Sequence, residues 1–207
     1  MTRASSSNAV SIDARICSQG LRATLAVALA ASVAQVVDLT VLDSDVRLLD
    51  MNTHASMFGV VSLLASGMAC VAAALLATAA ATHRRVTMAL PVLLVILIGL
   101  RLLHPSGVVL LALPLVAATF LVLWSHVAVP GSDAERVVRV GCVVLATSYV
   151  VRMLGDAIAG PGHHDERWAQ QVRLLVSHSG ELAGWMAVAT GLAAAYVGLR
   201  RSGRASS

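Results

Sequence analysis

His178 and Glu181 stand three positions apart in "LLVSHSGELAGWM", Leu174 to Met186, within a stretch that is otherwise apolar almost to Leu199. At that spacing two side chains share one face of a helix. A histidine and a carboxylate so placed can contribute to a divalent metal site or to a buried ion pair. Arg152 and Asp156 form a second such pair, at i and i+4, on a face that also carries Ser148. Asp38 and Arg101 each interrupt another apolar run, and His54 and His104 stand at the ends of two more. A charge exposed to hydrocarbon costs at least ~2.5 kcal/mol, so each must face protein, water or a counter-charge.

These residues support several chemistries. Three acids (Asp38, Asp156, Glu181) against two bases (Arg101, Arg152) suit an interhelical ion-pair network that ties helices together. The same groups, with His178, can line a water-filled pocket for a small solute or an anion. His54, His104, Asp156, His178 and Glu181 are of the right types to ligate a metal, and a metal with an open position would make a membrane hydrolase. Against metal, there is no HExxH or HxxxH, and His163–His164 is a loop pair. An accessory or scaffold protein with no site of its own is the remaining reading. No GxSxG, P-loop or GxGxxG motif occurs, so no catalytic residue is assigned, and no cofactor is expected beyond the metal alternative. Cys17, Cys70 and Cys142 include no CxxC pair and read as unpaired thiols.

The elements that must position these groups are apolar. Of 207 residues, 57% are hydrophobic and only 13% charged, about half the charge of a soluble domain. The runs predict an all-α fold, a six-helix transmembrane bundle, with spans at Leu21–Leu42, Asn52–Thr82, Val86–Leu103, Val108–Val129, Val137–Ala159 and Trp168–Leu199. Residues 1–20, polar and Ser-rich, read as a disordered cytoplasmic segment; 21–199 form the membrane domain; 200–207 are a basic cytoplasmic tail. "ASVAQ" (Ala31–Gln35) imitates a signal-peptidase site, but the apolar run continues past it, which favours an uncleaved first span. Ser132 is placed to cap the fifth helix.

All fifteen basic residues are arginines. With alanine, valine and leucine dominant, this reads as the codon bias of a high-GC bacterium. No basic patch is interleaved with aromatics, so nucleic acid is not an expected partner; the lipid bilayer is. Ten arginines fall in the N-terminal segment, the second–third and fourth–fifth loops and the tail, against five elsewhere. The positive-inside rule then puts both termini in the cytoplasm of a multi-pass protein of the bacterial cytoplasmic (inner) membrane. Counting at ~1.5 Å per residue from the cytoplasmic arginines puts Asp38, Arg101, Arg152, Asp156 and Glu181 in one layer near the outer leaflet, with Arg152 one turn deeper and the most buried charge. By this count from Arg200, Glu181 is at the outer edge and His178 just beyond it. Gly180, Gly184, Gly191 and Gly198 share one face of the last span, a small-residue surface suited to helix contact or self-association.

"LLDMN" before a long second span, a third span ending near a His, a Trp closing the fourth and "SGELAGW" in the sixth give the chain a familiar layout. It resembles a loose family of uncharacterised bacterial multi-pass integral membrane proteins of the actinobacterial type, over most of residues 36–199. That family ends its third span with "DE" followed by "HE" and carries "EEGLE" in its last. Here the corresponding stretches read "GLRLLHP" and "SHSGE", with Arg101 where the acids would be and Glu181 retained. The resemblance implies no activity.

Overall fold

In the computed structural model the chain is all helical, with six helices and no strands among the described residues. The structure describes residues 3–40, 57–79, 84–103, 119, 121–123, 132–158 and 167–205. The helices are α1 (Arg3–Thr40), α2 (Met57–Ala79), α3 (Arg84–Leu103), α4 (of which residues 119 and 121–123 are described), α5 (Asp133–Ile158) and α6 (Arg167–Ala205). Among the described residues, three stretches are long and apolar enough to cross a membrane: Ala14–Ala34, Gly59–Ala79 and Leu174–Arg201.

Local chemistry explains the boundaries and the interior. Ser132 caps α5: its Oγ accepts from the Glu135 N–H at 3.2 Å, and its carbonyl accepts from the Arg136 N–H. Asp133 and Glu135 add negative charge in the first turn, where the helix dipole favours it. Pro91 stands inside α3, and the Cys70 thiol of α2 donates to its carbonyl at 3.7 Å, joining the two helices. Hydroxyls along the apolar helices donate back to their own backbone. Thr24 bonds Gly20, Ser32 bonds Ala28, Ser148 bonds Val144 and Thr190 bonds Met186, each at 2.8 Å. A hydroxyl satisfied in this way can sit in an apolar medium.

α6 is the central helix, packing on α5, α2 and α1, while α3 packs chiefly on α2. It is buried on nearly every side from Glu181 to Ala194, as expected of a helix apolar all round. α2 shows the opposite of a soluble helix. Its buried face is mostly small (Ser62, Ala65, Ser66, Ala69, Ala73), with Leu76 the large exception, and most of its large residues point out, with Leu64 63%, Met68 65% and Val71 61% exposed. Small residues inside and large apolar residues outside is the packing of a helix in lipid.

One expectation changes. Residues 3–20 belong to the continuous 38-residue α1 rather than to a disordered segment. The reason is packing that composition hides: Cys17 (4% exposed) forms a small core with Ala134 of α5 and Ala194 of α6, edged by Ile16, Val137 and Ala195. α6 continues through most of the basic tail, to Ala205.

Candidate functional site

Glu181 is 5% exposed, buried where α6 meets its neighbours, and His178 one turn earlier is half-buried. Both are engaged by other groups. Trp185 follows one turn later on the same stripe, 3% exposed, and its Nε1–H finds no acceptor among the described residues. The burial of Glu181 fits a carboxylate turned into the bundle rather than toward lipid.

The glycines set what stands opposite. A Cβ added at Gly191 would lie 2.5 Å from Val138 Cγ2 and 3.0 Å from the Ala134 carbonyl oxygen. One at Gly184 would lie 2.5 Å from Leu145 Cγ and 3.1 Å from the Gly141 carbonyl oxygen, and one at Gly180 would overlap Ser148 Oγ. α5 and α6 are therefore antiparallel in a fixed register, with Gly191 against Val138, Gly184 against Leu145 and Gly180 against Ser148. The face expected to serve self-association is used within the chain at Gly180, Gly184 and Gly191, because only glycine lets the two backbones approach so closely. On the other side Gly20 of α1 abuts Thr190 and Cys17 clusters with Ala194, so α1 is also antiparallel to α6.

Carried along the helices, this register places the charged positions. One turn past the Gly180–Ser148 contact, position 152 of α5 lies across from Ser177, which is 4% exposed. A further turn sets position 156 across from Arg173. Asp38, eighteen residues beyond Gly20, is level with the same turn of α6. The helical backbone of Asp38, Arg101, Arg152, Asp156 and Arg173 is described, but their side chains lie outside the described residues, as do His54 and His104 entirely.

In this register Asp38, Asp156 and Arg173 share one level. Position 152 is a turn nearer Glu181, and Glu181 is ~12 Å from the first level along α6. Arg22 and Arg139 stand beside Ala189–Thr190, so Arg200 is ~16 Å beyond them. Arg101 is also not drawn toward Glu181 by helix packing, because α3 leans on α2. Arg173, a position the sequence reading did not single out, falls on the level of Asp38 and Asp156; it precedes Gly180 by seven residues, the spacing from Gly184 to Gly191.

The metal candidates are not assembled among the described residues, where no group of three or more His, Cys, Asp or Glu could hold an ion. Of that set only His178 and Glu181 have described side chains. All three cysteines are free thiols, with Cys17 and Cys142 buried. No protein-family model, curated protein or solved structure matches the chain.

Proposed function

We propose that this chain is an integral protein of the bacterial cytoplasmic membrane, six-spanning with both termini inside, in which a charged ladder between α5 and α6 fixes the bundle. The observation that carries the reading is Glu181, buried at 5% exposure on an apolar helix and beside the seam where Ser148 meets Gly180. Facing positions on the seam run Glu181, Arg152, Asp156, Arg173, alternating in sign. In an antiparallel pair each Cα–Cβ bond tilts toward its own helix N-terminus. That tilt favours an approach between positions 152 and 181, which lie about one turn apart in height. Arg152 and Asp156 are also spaced for a pair on one helix. Asp38 supplies a further carboxylate at the Arg173 level.

Depth supports the functional weight of the ladder. On α1, Arg15 and Arg22 point away from α6, so the bilayer core begins at Arg22 even though the apolar window reaches back to Ala14. From the Arg22–Arg139 level, a core ~30 Å thick ends near Trp168, an aromatic suited to the outer interface. Glu181 is then ~12 Å from the inner boundary and His178 ~17 Å, both near mid-bilayer.

A second reading, a small-solute pocket at the same depth, draws on the buried Trp185 N–H that lacks an acceptor among the described residues. The two separate experimentally. A ladder predicts that Arg152→Gln and Glu181→Gln each destabilise the purified protein and that their effects are not additive. A pocket predicts that Trp185→Phe changes a ligand-induced melting shift while leaving unliganded stability nearly unchanged. Additive losses at positions 152 and 181 would contradict the ladder.

A further inference from the structure

Arg15 and Arg22 stand out among the cytoplasmic-side arginines. α1 buries Cys17, Thr24 and Ala31 toward α6, with Gly20 against Thr190. Arg15 and Arg22 are each two residues before a buried position, about 200° around the helix, and both are exposed. They continue an outward stripe whose apolar part is Leu25 (57% exposed), Leu29 (64%), Val33 (61%) and Val36 (46%). The stripe thus changes from lipid-compatible to doubly cationic at Arg22, with the second guanidinium position ~10 Å farther along. Pairing sets them apart again. On α5, Arg136 lies 3.9 Å from Asp133 and Arg139 bonds Glu135, whereas neither Arg15 nor Arg22 has an acidic partner among the described residues.

We propose that Arg15 and Arg22 bind the phosphate of an anionic phospholipid in the cytoplasmic leaflet, with its acyl chains along the Leu25–Leu29–Val33 stripe. The inference rests on the membrane reading and on its inward N-terminus. Guanidinium donors match phosphate oxygens in pairs, and an arginine near an anionic leaflet raises lipid affinity about fivefold. Two unpaired arginines beginning an apolar stripe supply both halves of what such a lipid presents.

The test uses the full chain in lipid nanodiscs, either pure phosphatidylcholine or equal parts phosphatidylcholine and phosphatidylglycerol. The wild type should melt at a higher temperature in the mixed discs. Arg15→Gln/Arg22→Gln should remove at least most of that difference while melting normally in phosphatidylcholine. Arg15→Lys/Arg22→Lys should restore part of it, and Arg136→Gln should leave it intact. Inorganic phosphate added to phosphatidylcholine discs should give no shift; a shift matching that of phosphatidylglycerol would show a soluble-anion site and overturn the lipid assignment. A phosphatidylglycerol effect absent from wild type, or undiminished in the double Gln variant, overturns it too. If the chain enters neither disc, the membrane reading itself fails and the lipid site with it.

Discussion

Glu181 shares its helix face with His178 and Trp185, one turn to either side, and is engaged by another group. Across the α5–α6 seam, Arg152 is the charged position the register favours as its counter-charge. Glu181→Gln would leave a buried arginine uncompensated, so a loss of at least ~1 kcal/mol in unfolding free energy is expected. His178 is half-buried and should matter less: His178→Ala is expected to cost under half as much, measured by thermal unfolding in the same detergent. The metal alternative reverses that order. Metal analysis of purified wild type and His178→Ala decides, since a stoichiometric divalent ion lost with the histidine while folding survives would contradict the ladder. From sequence alone, the oddity of Glu181 and its turn into the bundle were legible, because charge in an apolar helix has few alternatives. Its level against α5 and α1 was not, because that depends on which residues of those helices stand beside it.

The helices themselves were largely readable as apolar runs, and Ser132 as a cap, since a capping serine followed three residues later by Glu135 is a local signal. The antiparallel register of α5 on α6 was not readable. It is set by which glycine meets which side chain, and Gly141, Gly180, Gly184 and Gly191 look alike in sequence. Cys17 was misread for a related reason: a polar, Ser-rich neighbourhood hides a contact with Ala194 that lies far away along the chain. The seam gives a sharp contrast between glycines. Gly184→Val should destabilise by roughly 1–3 kcal/mol, because its Cβ would press on Leu145 and on the Gly141 carbonyl oxygen at 3.1 Å. Gly67→Ala in α2 has nothing within 4 Å of its new methyl and should be neutral or stabilising by up to ~1 kcal/mol. Melting curves of the two variants side by side check the packing.

At the scale of the whole molecule, α1 and α6 are far longer than a bilayer core, at 38 and 39 residues, or ~57 Å each. The N-terminal part of α1 and the C-terminal part of α6 project past the Arg22–Arg139 level and pack together around Cys17 and Ala194. Both termini should then be cytoplasmic: a reporter fused at Ser207 should be active only as a cytoplasmic fusion, and one inserted in residues 161–167 only as an external one. The central claim is that the bilayer covers α6 from the Ala189 level outward, so that Glu181 is near mid-membrane. Val176 tests it most directly, because it is 49% exposed in the protein and only lipid can shield it. In a variant with Cys17, Cys70 and Cys142 replaced by Ala, Val176→Cys should resist a membrane-impermeant maleimide in intact cells and react after detergent solubilisation. Rapid labelling of that cysteine from outside intact cells would place the boundary near Gly180 instead and contradict the account.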